Sequence, residues 1–218
     1  ESPFRFRETA LWSLDYRVLA YRLGRRAPRD LQYRWGQVLE LNALHVPWEP
    51  SQGRLGSAEA MAWFPGLAPH HGISLYGAYQ YRQSGQYAFT GLVRIPSGWT
   101  GHGEPEIYSL AADYRLPVWL PDFNLPGVLF IKRFSGGLFW EQAWGRYPAT
   151  LFRYASYGAE LRMEAHAFRF IAPLHLGYRL YRMHQRDGLG GGLFLFFDFD
   201  QLAGRPEQRD DVPPPRGL

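Results

Sequence analysis

The sequence predicts an all-β fold, an antiparallel transmembrane β-barrel with about ten strands in view. Three observations point there. Apolar and polar residues alternate with a period of two along most of the chain, which is what a strand with two unlike faces requires. No run of about 20 apolar residues exists to form a membrane helix. Aromatics make up 17% of the 218 residues, with 8 Trp, 14 Tyr and 15 Phe, a supply that suits the aromatic girdles at bilayer surfaces. The mean hydropathy of −0.33 is compatible with such a barrel, because only every second strand residue must face lipid.

Taken in order, residues 9–23 place Ala10, Trp12, Leu14, Tyr16 and Val18 opposite Ser13, Asp15 and Arg17. A basic loop at 24–36 leads to a strand at 37–46, where Leu39, Leu41 and Ala43 oppose Glu40 and Asn42. After a turn at 47–53, a weaker strand covers 54–64, and the loop GLAPHHG leads to 73–82. There Ile73, Leu75, Tyr79 and Tyr81 oppose Ser74, Gln80 and Arg82. A tight turn, QSGQ, predicts a further strand at 87–95 before the Gly-rich loop 97–105.

The stretch 106–143 reads as two strands about a Pro-rich turn. Tyr108, Leu110, Ala112, Tyr114, Leu116 and Val118 share one face, with Ser109, Asp113 and Arg115 on the other. A loop is expected at 144–155. Residues 156–167 alternate most cleanly: Tyr157, Ala159, Leu161, Met163 and Ala165 stand against Ser156, Glu160, Arg162, Glu164 and His166. Residues 173–182 set Leu174, Leu176, Tyr178 and Leu180 opposite His175, Arg179 and Tyr181, and a last strand ends at Phe199 or Asp200. The barrel segment is assigned to 1–200. The polar, Pro-rich stretch 201–218 lacks periodicity and reads as a soluble extension.

Two features favour a membrane barrel over a soluble one. Long connections at 24–36, 65–71, 97–105, 144–155 and 183–189 are expected on one side, and short turns at 83–86 and 168–170 on the other. The longer turns at 47–53 and 119–125 are exceptions on the short side. Charges also fall mid-strand, and no helix is available to cover the apolar face. The runner-up is a soluble β-sandwich or barrel that binds a ligand or carbohydrate through its aromatics, with a second sheet over the apolar face.

The remaining composition narrows the function. No cysteine is present, which rules out thiolate metal sites and cysteine nucleophiles. The net charge of +4 rests on scattered arginines, with Lys132 the only lysine, so no contiguous basic stripe exists for nucleic acid. No signal-peptide pattern begins at Glu1, so the chain is expected to be processed or part of a longer polypeptide. His70 and His71 point to opposite faces if extended and read as loop residues rather than metal ligands. Ser156 and His166 lie too far apart on one strand to form a hydrolase pair. Asp113, Arg115, Glu160, Arg162, Glu164 and His166 read as an inward polar wall. GLGGG at 188–192 precedes no GKS/T and is not a phosphate loop. No catalytic residue, metal or cofactor is expected.

The ordered series of strands resembles the C-terminal barrel half of the BamA-type superfamily of outer-membrane assembly and translocation proteins. It is closer still to Bacteroidota-type barrels that follow a TolB-like propeller. The stretches that carry the resemblance are Arg34–Gln37 (RWGQ), Phe64–His71 (FPGLAPHH) and Tyr114–Asp122 (YRLPVWLPD), within a span of 30–199. It implies a pore or barrel component in the outer membrane of a Gram-negative bacterium. The partners it implies are membrane lipid and other subunits or an N-terminal propeller. It also implies roughly 16 strands, so that those seen here are the C-terminal ones.

In that superfamily an Arg-Gly-aromatic loop tucks into the lumen and its arginine meets an acidic strand residue. Here the loop reads Ser97–Gly98–Trp99, and the acidic position falls at Glu141. Serine cannot reproduce an arginine fork, and Arg94 is the arginine that could reach Glu141 instead. The departure bears on insertase activity more than on fold. The loop 97–105 is expected to fold inward, with Trp99 near Glu141.

Overall fold

Alternation becomes strands along most of the chain. A computed structural model describes residues 12–27, 29–48, 53–83, 89–100, 103–147, 150–167, 173–184 and 188–197. Ten strands form one antiparallel sheet: β1 (Leu14–Leu23), β2 (Gly36–His45), β3 (Arg54–Pro65), β4 (Gly72–Gln83), β5 (Glu106–Trp119), β6 (Phe123–Leu125), β7 (Leu129–Tyr147), β8 (Thr150–Ala167), β9 (Leu174–Met183) and β10 (Leu189–Phe197). The sheet order is β1-β2-β3-β4-β5-β7-β8-β9-β10, with β6 paired to β7 off this path. The fold is all-β, and a sheet of this order is consistent with a β-barrel. No helix among the described residues is long and apolar enough to cross a membrane. The stretch 201–218, and the end of the last strand beyond 197, lie outside the described residues.

Two expectations fail. Residues 89–95 form no strand, and the tenth strand is the short β6. The backbone there is held by side chains rather than by a ladder: Gln80 Oε1 accepts from Leu92 N (2.7 Å) and Val93 N (3.4 Å), and Tyr76 OH accepts from Arg94 N (3.2 Å). The expected loop 144–155 is mostly strand, because β7 and β8 stay paired out to Tyr147↔Thr150.

Both changes undo the expected sorting of connections by length. With no strand at 87–95, strand direction after it reverses relative to the reading from sequence. The connections 24–35, 66–71, 120–128 and 168–173 then share one end, and 46–53, 84–105, 148–149 and 184–188 the other. The long connection between β4 and β5 therefore leaves and rejoins the sheet at the end opposite the 24–35 loop.

The two faces of the sheet have the reverse of a soluble protein's burial. Outward Leu138 and Leu193 are 58% and 71% exposed, whereas inward Gln80 and Glu141 are 0% and 2% exposed. Ser57, Ser74, Ser109, Asp113, Ser156, Arg162, Glu164 and His175 are buried on the same inner face. No second sheet meets the apolar face among the described residues. One small apolar cluster, Val46, Leu55 and Phe89, is buried with Leu44 and Leu92 packed against it.

Candidate functional site

The site is the polar face and the segment 89–100 that lies across it. From Phe89 onward this segment touches five strands in turn. On β4, Arg82 Nη1 donates to Phe89 O (3.0 Å), and Gln80 and Tyr76 receive the amides named above. On β5, Ser109 Oγ donates to Arg94 O (2.7 Å), and Arg94 Nη1 lies 3.4 Å from Asp113 Oδ2. On β7, Arg94 Nη2 pairs with Glu141 Oε1, and Ser97 N donates to Glu141 Oε2 at 2.6 Å. On β8, Trp99 Nε1 donates to Ala155 O (3.2 Å), and its ring meets Tyr154 edge-on at 5.3 Å.

Contact with β9 explains Gly98. Its φ is +82°, a conformation that L side chains resist, and an added Cβ would run into the Tyr181 ring and come within 2.9 Å of Met183 Sδ. Only glycine fits both the turn and the space. Gly101 lies outside the described residues, and Gly103 has φ +86°.

Glu141 is the hub of the site. It accepts from Arg94, Ser97 N, Ser156 Oγ (3.0 Å) and Arg179 Nη1 (3.2 Å), so both oxygens are occupied. Four donors from the segment and from two strands thus converge on one side chain. Arg179 links the hub to the next acid. Its Nε and Nη2 donate to Glu160 Oε2 (3.1 and 2.8 Å), its Nη1 reaches Ser97 Oγ (3.3 Å), and its guanidinium stacks over Phe139 at 4.4 Å. Arg162 joins the network through Glu160 Oε1 (3.2 Å) and lies over the Phe194 ring at 5.3 Å.

A second cluster sits at the opposite end. At a β-bulge two successive residues face one partner, and here Lys132 and Arg133 both reach Glu164, each at 2.5 Å. Arg133 Nη1 also donates to Asp30 O (3.1 Å), tying the β1–β2 loop to β7. The Asp30 carboxylate meets His70 Nδ1 at 2.8 Å, Ala27 N at 3.0 Å and Arg34 Nε at 3.6 Å. Burial pushes the Asp30 carboxyl up, but the His70 hydrogen bond, the Ala27 amide and the Arg34 charge together hold it below the ordinary carboxylate range.

Not every residue singled out from sequence joins these clusters. His166 lies against Phe130, ring centroids 6.3 Å apart, and Arg115 lies at the half-buried end of the inward row of β5. His70 and His71 diverge, the latter to Tyr114 OH at 2.6 Å, and no group of three metal-ligating side chains occurs among the described residues. Arg179, Ser109, Ser156, Gln80 and Tyr76 were not singled out as site residues. Arg179 and Gln80 were legible as inward residues by alternation, but nothing local marks them as partners of segment 89–100.

Comparison with known families, characterised proteins and solved structures returns no match. What the chain does must therefore be argued from its own geometry.

Proposed function

We propose that this chain is the membrane-crossing barrel part of a protein in the outer membrane of a Gram-negative bacterium. It acts as a translocation- or assembly-type pore component and not as an enzyme. The observation that carries the reading is the inverted sheet, with an exposed apolar face and an ionic inner face. In water an uncovered apolar face of this extent drives association, whereas in a bilayer lipid covers it and the antiparallel ladders satisfy the backbone of the strands between β1 and β10. Exposed tryptophans support it: Trp12 and Trp48 flank one end of the strands, and Trp35 and Trp119 the other. The segment 89–100 lies across the polar face of the sheet, where a plug or constriction would lie if the sheet closes as a barrel. The surrounding lipid is one partner, and other subunits or an N-terminal propeller are the protein partners that the sequence resemblance suggests.

The test is fractionation. The chain should leave membranes only with detergent and run on gels with heat-modifiable mobility. A monomer that stays dissolved without detergent sinks the reading.

A further inference from the structure

The outer face of the sheet differs between its two ends. Arg54 on β3, Arg146 on β7, Arg153 on β8 and Arg182 on β9 each adjoin an inward residue (Leu55, Gly145, Tyr154 and Tyr181), so their side chains project outward. All four are exposed. Arg54 opens β3, Arg146 and Arg182 are the last but one residues of β7 and β9, and Arg153 is the fourth of β8. All lie at the end shared by 46–53, 84–105, 148–149 and 184–188. At the other end Arg22 is the only outward charge among the described strand residues, and Phe64, Phe134 and Leu174 hold outward positions there.

Aromatic rings stand beside these arginines on the outer face. Tyr79, Tyr108 and Trp144 share one registered row that reaches Arg153, and Tyr157 lies opposite Arg182. Such rings mark the depth at which hydrocarbon gives way to headgroups, so guanidinium groups at the same level stand among phosphates. Glu106 is the only carboxylate at an outward strand position among the described residues, and its Oε2 lies 3.7 Å from Arg146 Nη1. Four arginines against one acid give this rim a net positive charge. Arg153 Nη2 donates to Gln142 Oε1 (3.3 Å), which keeps that arm against the sheet.

Resting on the membrane reading above, we infer that Arg146, Arg153 and Arg182, on three adjacent strands, form a binding site for an anionic lipid headgroup, with its phosphate as the group recognised. A guanidinium presents paired N–H donors that match phosphate oxygens, which an ammonium cannot do. The registered partner of Arg146 is Leu151, two residues from Arg153, so the arginines of β7 and β8 are near enough to share one headgroup, and Arg182 extends the site onto β9. Depth supports the assignment. An outward arginine is costly at the bilayer midplane and tolerated near the interface, and the middle of the outer face carries Leu110, Leu138, Leu161 and Leu180 instead.

The whole chain in non-ionic detergent micelles, with bound lipid counted by native mass spectrometry, tests this. Phosphatidylglycerol should bind in preference to phosphatidylcholine. Arg146→Gln and Arg153→Gln together should lower phosphatidylglycerol affinity about 25-fold, roughly fivefold for each charge lost, and change phosphatidylcholine binding little. Arg22→Gln, at the other end, should leave the preference intact. Glu106→Gln removes the competing carboxylate and should tighten phosphatidylglycerol binding, a gain that no folding defect can imitate. Inorganic phosphate equimolar with the lipid should not displace it. Equal binding of the two lipids, a loss in Arg22→Gln as large as in the double variant, weaker binding by Glu106→Gln, or displacement by inorganic phosphate would each overturn the inference. Failure of the membrane reading looks different, because the chain would then be a soluble monomer without detergent and would bind neither lipid.

Discussion

Arg94 and Glu141, 47 residues apart in the chain, meet as a buried ion pair on the inner face of the sheet. Serine at position 97 leaves the tip of the loop without an arginine, yet Ser97 N and Arg94 converge on the same carboxylate. The anion is thus gripped from two points of one segment. Removing one partner of such a pair strands the other charge, which costs about 3–5 kcal/mol. Arg94→Met and Glu141→Gln should each lower stability in lipid by about that order, and the double variant by less than the sum. Urea unfolding of vesicle-refolded protein measures this, and additive losses would rule out the coupling. If the chain is the pore component proposed, both single variants should raise conductance in planar bilayers, because the segment they hold lies across the polar face of the sheet.

Arg179 contacts two carboxylates, a serine hydroxyl and an aromatic face with one guanidinium. Lysine keeps the charge but not the planar fork. Arg179→Lys should therefore lose about 1–3 kcal/mol, the range for hydrogen bonds left unmade at a buried site. If its unfolding midpoint equals that of wild type, charge alone holds Glu141 and Glu160 together.

Leu161 separates lipid from water as the medium outside the sheet. It is 52% exposed on the outward face. In water an arginine there should change stability by about 0.5 kcal/mol or less. At the midplane of a bilayer the same change costs about 2–4 kcal/mol. Comparing Leu161→Arg with wild type in vesicles decides between the two environments.

The contacts that hold the Asp30 carboxyl low set the sign of a pH dependence. Its carboxyl is held below the ordinary range in the folded protein, so the stabilisation is present above the unfolded pKa, about 3.9. It is lost as pH falls through the lower folded value. The stability gap between wild type and Asp30→Asn should be level from neutral pH down to about 5 and close below about 4. A gap that closes nearer neutrality would place the controlling proton on another group.

Alternation was enough to place most of the strands and to say which residues share a face, because side-chain direction in a strand is set by the residue's own position. The wall of Asp113, Glu160, Arg162 and Glu164, and outward Leu161, needed nothing more. Partners were not legible, because the period carries no information about them. Residues 89–95 could have paired as a strand, but the side chains of Gln80 and Tyr76 take the amides of Leu92, Val93 and Arg94 instead. Gly145 and Pro148 resemble a loop, yet the ladder between β7 and β8 runs through to Tyr147. The bond from Arg133 to Asp30 spans 103 residues and arises only where the loop after β1 lies against β7. Each strand's two faces follow from local stereochemistry, whereas the joining of Arg94, Glu141 and Arg179 depends on distances across the sheet that only the assembled strands define.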